Sequence, residues 1–121
     1  FQSYTNLEAL KKVLPDSSLS LASPLMQMRQ KSYIGNGLIL EHIEQYFDTP
    51  ENFEEFVQLS QKTQAKGLIM ALESHISNRP HCMGTLFWQL NDCWPGPSGG
   101  VIDYYGNKKD AYTEVKMAFR N

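Results

Sequence analysis

Apolar residues recur at three- and four-residue intervals along most of the chain, as the buried face of an amphipathic helix requires. Thr5 and Glu8 are spaced as a capping box at the start of the first helix, and Pro15 ends it. Gly67 lies inside the longest helix, as either a close-packing contact or a weak point. The predicted helices span residues 7–14, 25–33, 38–47, about 51–76 and 108–120.

The pattern changes after the turn at Asn78-Arg79-Pro80. The segment Cys82–Leu90 is a compact apolar run, which predicts a strand buried on both faces. Residues 91–100 contain two Pro and three Gly and are predicted to form a loop, and residues 101–105 form a short extended stretch. One strand cannot satisfy its own hydrogen-bonding edges, so the sequence indicates part of a larger α/β architecture.

Composition and charge narrow the possible partners. The chain has 121 residues, is 41% hydrophobic and 20% charged, and carries a net charge of −2. This balance predicts no nucleic-acid partner, and no apolar run reaches the roughly 18 residues that a membrane helix needs, so we expect no membrane partner. The sequence starts at Phe1 without an initiator Met and does not resemble a signal peptide there. We therefore expect that a segment upstream of Phe1 has been removed.

The cysteines and histidines do not indicate a metal or cofactor. Cys82 and Cys93 could pair, but their apolar neighbours favour two buried free thiols. His75 and His81 do not have the spacing of a zinc motif, so we expect surface or turn roles for them and no bound metal or cofactor.

The candidate binding residues gather where the predicted strand gives way to the loop. Trp88 and Trp94 offer flat aromatic faces, while Gln89, Asn91 and Asp92 offer groups that can bind hydroxyls. Sugars are recognised by this combination. The alternative is a core strand in which the Trp side chains pack and the polar residues make turn hydrogen bonds. Residues 88 and 89 also point in opposite directions along a strand, so all of them face one ligand only if the strand ends or twists there.

This region also carries a resemblance to a known family. The run Phe87-Trp88-Gln89-Leu90-Asn91-Asp92-Cys93-Trp94-Pro95 is similar to the last barrel strand and loop of the β-mannosidases of glycoside hydrolase family 2. Phe1-Gln2-Ser3 resembles the end of the family's nucleophile motif, just after its glutamate. Further similar stretches are 23–27, 29–30, 35–36, 102–106 and Lys109.

The resemblance implies an α/β fold: a partial (β/α)8 TIM barrel, mostly helical, with one or two buried strands. Residues 1–121 would be the C-terminal fragment of the catalytic barrel, covering its last two βα units. The parent would be a retaining exo-β-mannosidase that hydrolyses terminal β-D-mannosides or manno-oligosaccharides. Its nucleophile would precede Phe1 and its acid/base would lie far upstream, so the chain should contain no catalytic residue and be inactive. We expect structural or hydroxyl-binding roles for Asp92 and Asp103.

The resemblance also implies a substrate-binding role for Trp88, as a sugar platform, and for Asn91, Asp92 and Trp94, which would line or shape the subsite. Gln2 would lie near the loop of the nucleophile. Four positions depart from the family: Gly99 replaces an aromatic residue, Met28 a His, and Asn107-Lys108 an Arg-Trp pair. These departures bear on sugar specificity.

Other interpretations stay open. The chain could be a carbohydrate-binding or helical interaction module without catalytic activity, or derive from a relative that acts on galactosides or glucuronides. An isolated barrel piece would expose apolar surface, so we expect it to self-associate. The family suggests a location outside the cytoplasm, in the periplasm or the lysosome.

Overall fold

The helices dominate the structure, a computed structural model that describes residues 1–120. In chain order they are α1 (Leu7–Lys11), a 3-10 turn (Asp16–Ser18), α2 (Pro24–Arg29), α3 (Gly37–Glu44), α4 (Phe53–Ser77) and α5 (Asp110–Ala118). The predicted helices are therefore all present, although most are shorter at their ends than the hydrophobic pattern suggested. Among the described residues, none of these helices is both long and apolar enough to cross a membrane.

Side-chain caps mark where α1, α2 and α4 begin. At α1 the backbone N–H of Ala9 donates to the side chain of Asn6 over 2.8 Å, so Asn6 is the cap. The predicted capping role of Thr5 is wrong, because its hydroxyl points inward and donates to Asp103. At α4 the Asn52 side chain accepts from the N–H of Glu55 over 2.9 Å, which starts the helix two residues later than Glu51.

The main hydrophobic core lies between the N-terminal segment, α1, α2, α3 and the first half of α4. Tyr4 is fully buried there, and its ring meets those of Phe53 and Phe56 edge-on at centroid distances of 5.9 and 5.5 Å. Burial raises the pKa of the Tyr4 hydroxyl, which donates to Asn36 over 2.7 Å. The other buried members of this core are Leu10, Leu14, Met26, Ile39, Ile43 and Val57.

A second apolar region joins the later part of α4 to α5 and to the chain before it. Leu72 of α4 packs with Val115 and Ala118 of α5, and Ala65 packs with Val101 and Ala111. Gly67 faces Phe1: a Cβ at residue 67 would lie 2.5 Å from the Phe1 ring. The glycine is therefore a close-packing contact, which was one of its two predicted roles.

The predicted buried strand is wrong. Within residues 1–120 the chain forms only isolated β-bridges, between Ser3 and Ser98, Asn91 and Ile102, and Ile102 and Lys108. In the segment Cys82–Leu90, Leu86 is 99% exposed and Trp88 is 84% exposed. An apolar run is buried as a strand only where neighbouring strands cover and pair with it, and the described residues provide none. The structure is mostly helical with almost no strand.

Both cysteines are free thiols, as predicted, but their predicted burial is wrong. Cys93 is exposed and Cys82 is only partly buried. Cys82 begins the segment that was predicted as a buried strand, so the missing strand neighbours explain its partial exposure, whereas Cys93 lies in the predicted loop 91–100.

Candidate functional site

A cleft of about 370 Å³ lies beside the predicted binding residues. Trp88, Asp92 and Trp94 line it, whereas the exposed Asn91 does not. Phe1, Gln2 and the cation Lys31 line it as well. The structure thus brings together three of the four predicted substrate-binding residues, and Gln2, which was expected near the loop of the nucleophile, lines the same cleft.

The indole of Trp88 is exposed to solvent, while the backbone next to it is hydrogen-bonded to the loop 91–100. The N–H of Gln89 donates to the carbonyl of Gly99 over 3.3 Å, and the Trp88–Gln89 peptide bond is cis. A Cβ at residue 99 would lie 2.6 Å from the Trp88 carbonyl oxygen. The glycine that departs from the family pattern therefore permits the close approach between this loop and Trp88.

Trp94 lies at the cationic side of the cleft. The Arg29 guanidinium lies 4.6 Å from the indole centroid and the Lys31 ammonium 5.3 Å from it. Lys31 also donates to the Cys93 sulfur over 3.4 Å. Such contacts with the ring hold the indole in one orientation, since cations are attracted to an aromatic face. Trp94 remains 39% exposed, so part of its surface is open to a ligand.

Asp92 forms the floor of the cleft and is only 5% exposed. Its carboxylate accepts a short hydrogen bond from the Ser98 hydroxyl and lies 3.5 Å from the ammonium of Lys109. Lys109 compensates the charge of this carboxylate. The hydrogen bond between the carboxylate and Ser98 joins two parts of the loop that contains Trp94.

Lys109 is 3% exposed and was not identified as a site residue from the sequence. Its ammonium donates to the Ser3 carbonyl and to the Ser98 hydroxyl, each over 3.3 Å. Desolvation lowers the pKa of Lys109, while the charges of Asp92 and Asp103 oppose that shift. The sequence predicted that Lys109 lies in an amphipathic helix over residues 108–120, and no spacing indicated its burial.

Asp103 is the second acid near this region and is 3% exposed. It accepts from the Thr5 hydroxyl over 2.5 Å and from the backbone N–H groups of Tyr105 and Asn107 over 2.9 and 2.8 Å. Its carboxylate therefore connects the N-terminal segment to the turn before α5. Neither Asp92 nor Asp103 presents a free carboxylate to the cleft.

His75 and His81 do not line the cleft. His75 is exposed and its Nδ1 lies 2.8 Å from the Thr85 hydroxyl, and His81 is exposed as well, so both have the surface positions predicted for them. Across residues 1–120, no group of three or more His, Cys, Asp or Glu side chains is arranged to hold a metal ion.

Comparisons with known proteins find relatives of one kind. No family model matches the chain. The β-mannosidase of Capra hircus is 30% identical over 122 residues, covering 90% of this chain and 14% of that protein. β-Mannosidase B of Thermothelomyces thermophilus is 40% identical over 72 residues, covering 55% of this chain and 8% of that protein.

A solved structure agrees with these relatives. The β-D-mannosidase of Dictyoglomus thermophilum matches 99% of this chain with a TM-score of 0.94 and 34% sequence identity, and the match covers 15% of that protein. The chain spans only about 14% of the length of its first curated relatives. In sequence and in structure, the chain therefore corresponds to a fragment of a β-mannosidase.

Proposed function

We propose that this chain supplies one wall of the sugar-binding cleft of a longer retaining exo-β-mannosidase that hydrolyses terminal β-D-mannosides. The observation that carries the proposal is the cleft itself, in which Trp88 is 84% exposed beside the partly exposed Trp94. An indole is costly to expose to water, so such an arrangement suits the C–H faces of a sugar ring. The likeness to β-mannosidases over nearly all of the chain supports the same substrate class.

Within that wall the residues have different tasks. Trp88 is the sugar platform, and Trp94, whose ring contacts Arg29 and Lys31, borders the subsite. Asp92 shapes the floor through Ser98, while the exposed Asn91 lies at the rim, where its amide can meet a hydroxyl of a longer saccharide.

Bond cleavage requires groups that this chain does not supply. A retaining glycosidase uses two carboxyl groups about 5–5.5 Å apart, one as nucleophile and one as acid/base. Asp92 and Asp103 are buried and engaged in hydrogen bonds, which makes them unsuited to either role. The chain alone is therefore inactive, and both carboxyl groups come from elsewhere in the longer protein.

The architecture that fits this function is a partial (β/α)8 barrel, with residues 1–121 as its last two βα units. In such barrels the active site lies at the C-terminal ends of the strands. The uncovered segment Cys82–Leu90 ends at the cleft and has apolar side chains such as Leu86 with no cover. Neighbouring strands of the barrel would provide the missing backbone partners and bury those side chains.

A second candidate is a carbohydrate-binding module without catalytic activity. The chain has its own hydrophobic core and an open aromatic cleft, which favours this alternative over other non-enzymatic roles. Such a module would bind manno-oligosaccharides by itself.

The test compares the 121-residue chain with the longest protein encoded by the same reading frame. We expect the longer protein to release 4-nitrophenol from 4-nitrophenyl β-D-mannopyranoside, and the chain to release none. Galactoside and glucuronide analogues serve as substrate controls. Preference for either analogue would contradict the mannoside assignment, and tight binding of mannotriose by the chain alone would favour the binding module.

A further inference from the structure

The ammonium of Lys109 is buried beside the cleft residue Asp92 and contacts oxygen atoms of three residues. It donates to the Ser3 carbonyl and to the Ser98 hydroxyl, and it forms an ion pair with Asp92 at 3.5 Å. Two of the three ammonium donors are therefore used in hydrogen bonds, while the Asp92 carboxylate compensates the charge. Both partners of the ion pair have side chains that are at most 2% exposed, so water screens the attraction weakly.

These contacts join three segments that are distant in sequence. Ser3 belongs to the N-terminal segment, Asp92 and Ser98 to the cleft loop 91–100, and Lys109 to the start of α5. The backbones of Ser3 and Ser98 also exchange two hydrogen bonds, of 2.9 and 3.0 Å. The N–H of Lys109 donates to the Val101 carbonyl over 2.9 Å, which fixes the far end of the loop.

The loop 91–100 packs closely around Asp92 and Ser98, the two residues that contact Lys109. A Cβ at Gly100 would overlap the Asp92 carboxylate and would lie 3.1 Å from the Ser98 hydroxyl. The N–H of Gly100 donates to the same hydroxyl over 2.9 Å. The next residue back, Gly99, carries the carbonyl that holds the backbone beside Trp88.

We propose that Lys109 is a positioning residue of the cleft: through Asp92 and Ser98, its ammonium sets the separation of the Trp88 and Trp94 platforms. Trp94 belongs to the loop 91–100, which Lys109 contacts. Trp88 lies next to Gln89, whose N–H donates to Gly99 near the end of the same loop. The sugar-binding part of this inference rests on the proposed function, and the loop geometry does not.

The test uses the double substitution Asp92→Asn with Lys109→Met, which removes both buried charges together. Removing one alone would leave an uncompensated charge and risk unfolding. Lys108→Met is the matched control, because Lys108 is the adjacent lysine and is exposed, with its ammonium 4.8 Å from the Tyr112 ring.

The first readout is amide hydrogen exchange of the 121-residue chain, which needs no activity. We expect exchange in residues 96–100 to accelerate about tenfold in the double variant, with exchange in α4 unchanged and the control like the wild type. Unchanged exchange in 96–100, or an equal acceleration throughout α4, would overturn the proposal, since the latter result indicates a purely structural role.

The second readout is steady-state hydrolysis of 4-nitrophenyl β-D-mannopyranoside by the longer protein. A displaced binding surface should raise KM about tenfold and leave kcat within about threefold, because the reacting carboxyl groups lie elsewhere. A fall in kcat at constant KM would contradict positioning of the substrate. If the wild-type longer protein hydrolyses no mannoside, the proposed function fails, while the exchange experiment still decides whether Lys109 positions the loop.

Discussion

Replacing Asp103 by Asn tests whether a buried carboxylate holds the N-terminal segment to the turn before α5. The carboxylate accepts four hydrogen bonds: from the Thr5 hydroxyl, from two backbone N–H groups, and from the Asn107 side-chain amide over 3.0 Å. An Asn at residue 103 keeps one oxygen for the two backbone donors. Its amide nitrogen replaces the oxygen that faces Thr5 and Asn107, so two donors lose their acceptor.

The expected cost follows from these contacts. A hydrogen bond to a charged group contributes about 1.5–3 kcal/mol, and rotation of the Thr5 hydroxyl recovers part of one such bond. The substitution should therefore lower the free energy of unfolding by about 3 kcal/mol. Asp103 is only 3% exposed, so water cannot replace the lost partners. The matched control is Asp48→Asn at an exposed position, which should change stability by less than about 0.5 kcal/mol.

The pH dependence supplies a sharper test. Burial alone would raise the pKa of Asp103, but the hydrogen bonds from Thr5 and Asn107 outweigh it and hold the pKa below the usual 3.8. Because the folded-state pKa is depressed, the stabilisation is present above the unfolded-state value and disappears as the pH falls through the folded-state value. The stability difference between wild type and variant should thus be full at neutral pH and shrink below 3.8.

Urea denaturation of both chains, followed by circular dichroism from neutral to acid pH, measures this difference. A difference that stays constant throughout that range would refute the role of the carboxylate charge. A loss below about 1 kcal/mol at neutral pH would show that the four hydrogen bonds are weaker than their geometry indicates.

Three further predictions concern the cleft and its surroundings. Trp88→Ala should raise the KM for a β-mannoside in the longer protein without shifting the urea midpoint of the chain, because the indole is 84% exposed; a shifted midpoint would show hidden packing. Gly99→Ala should lower stability by about 1–3 kcal/mol, since its Cβ meets a backbone oxygen that cannot move freely. Gly84→Ala, with open space around residue 84, is its control in the same denaturation assay. Light scattering should show that the isolated chain self-associates, and Leu86→Lys should reduce this, because Leu86 is 99% exposed; a monomeric wild type would contradict the expectation.

The helices could be predicted because their signals are local. The three- and four-residue spacing identifies α4 and α5 from their own side chains, and Ser23 with Pro24 marks the start of α2. The start of α1 could not be predicted from the local sequence, because Thr5 and Asn6 can both cap a helix. Asn6 is the cap because the Thr5 hydroxyl binds the distant Asp103 instead. Local pattern cannot show which hydroxyl a distant carboxylate will engage.

The errors concern contacts between distant segments. An apolar run such as Cys82–Leu90 predicts burial only if something covers it, and the sequence of the run does not show what that is. Lys109 was missed for the opposite reason, because a lysine is ordinarily exposed and only the meeting of Ser3, Asp92 and Ser98 makes its burial tolerable. The aromatic and acidic residues that line the cleft could be proposed from the sequence because their chemical types are unusual side by side.

The contact between Gly67 and Phe1 links the sequence of a helix to the shape of the cleft. A glycine inside a helix weakens it by about 1 kcal/mol relative to alanine, but here any larger residue would push the Phe1 ring aside. Phe1 and Gln2 form part of the cleft wall, so that push would reach the ligand-facing surface. A substitution on α4, outside the pocket lining, would in this way remodel the room available to a sugar.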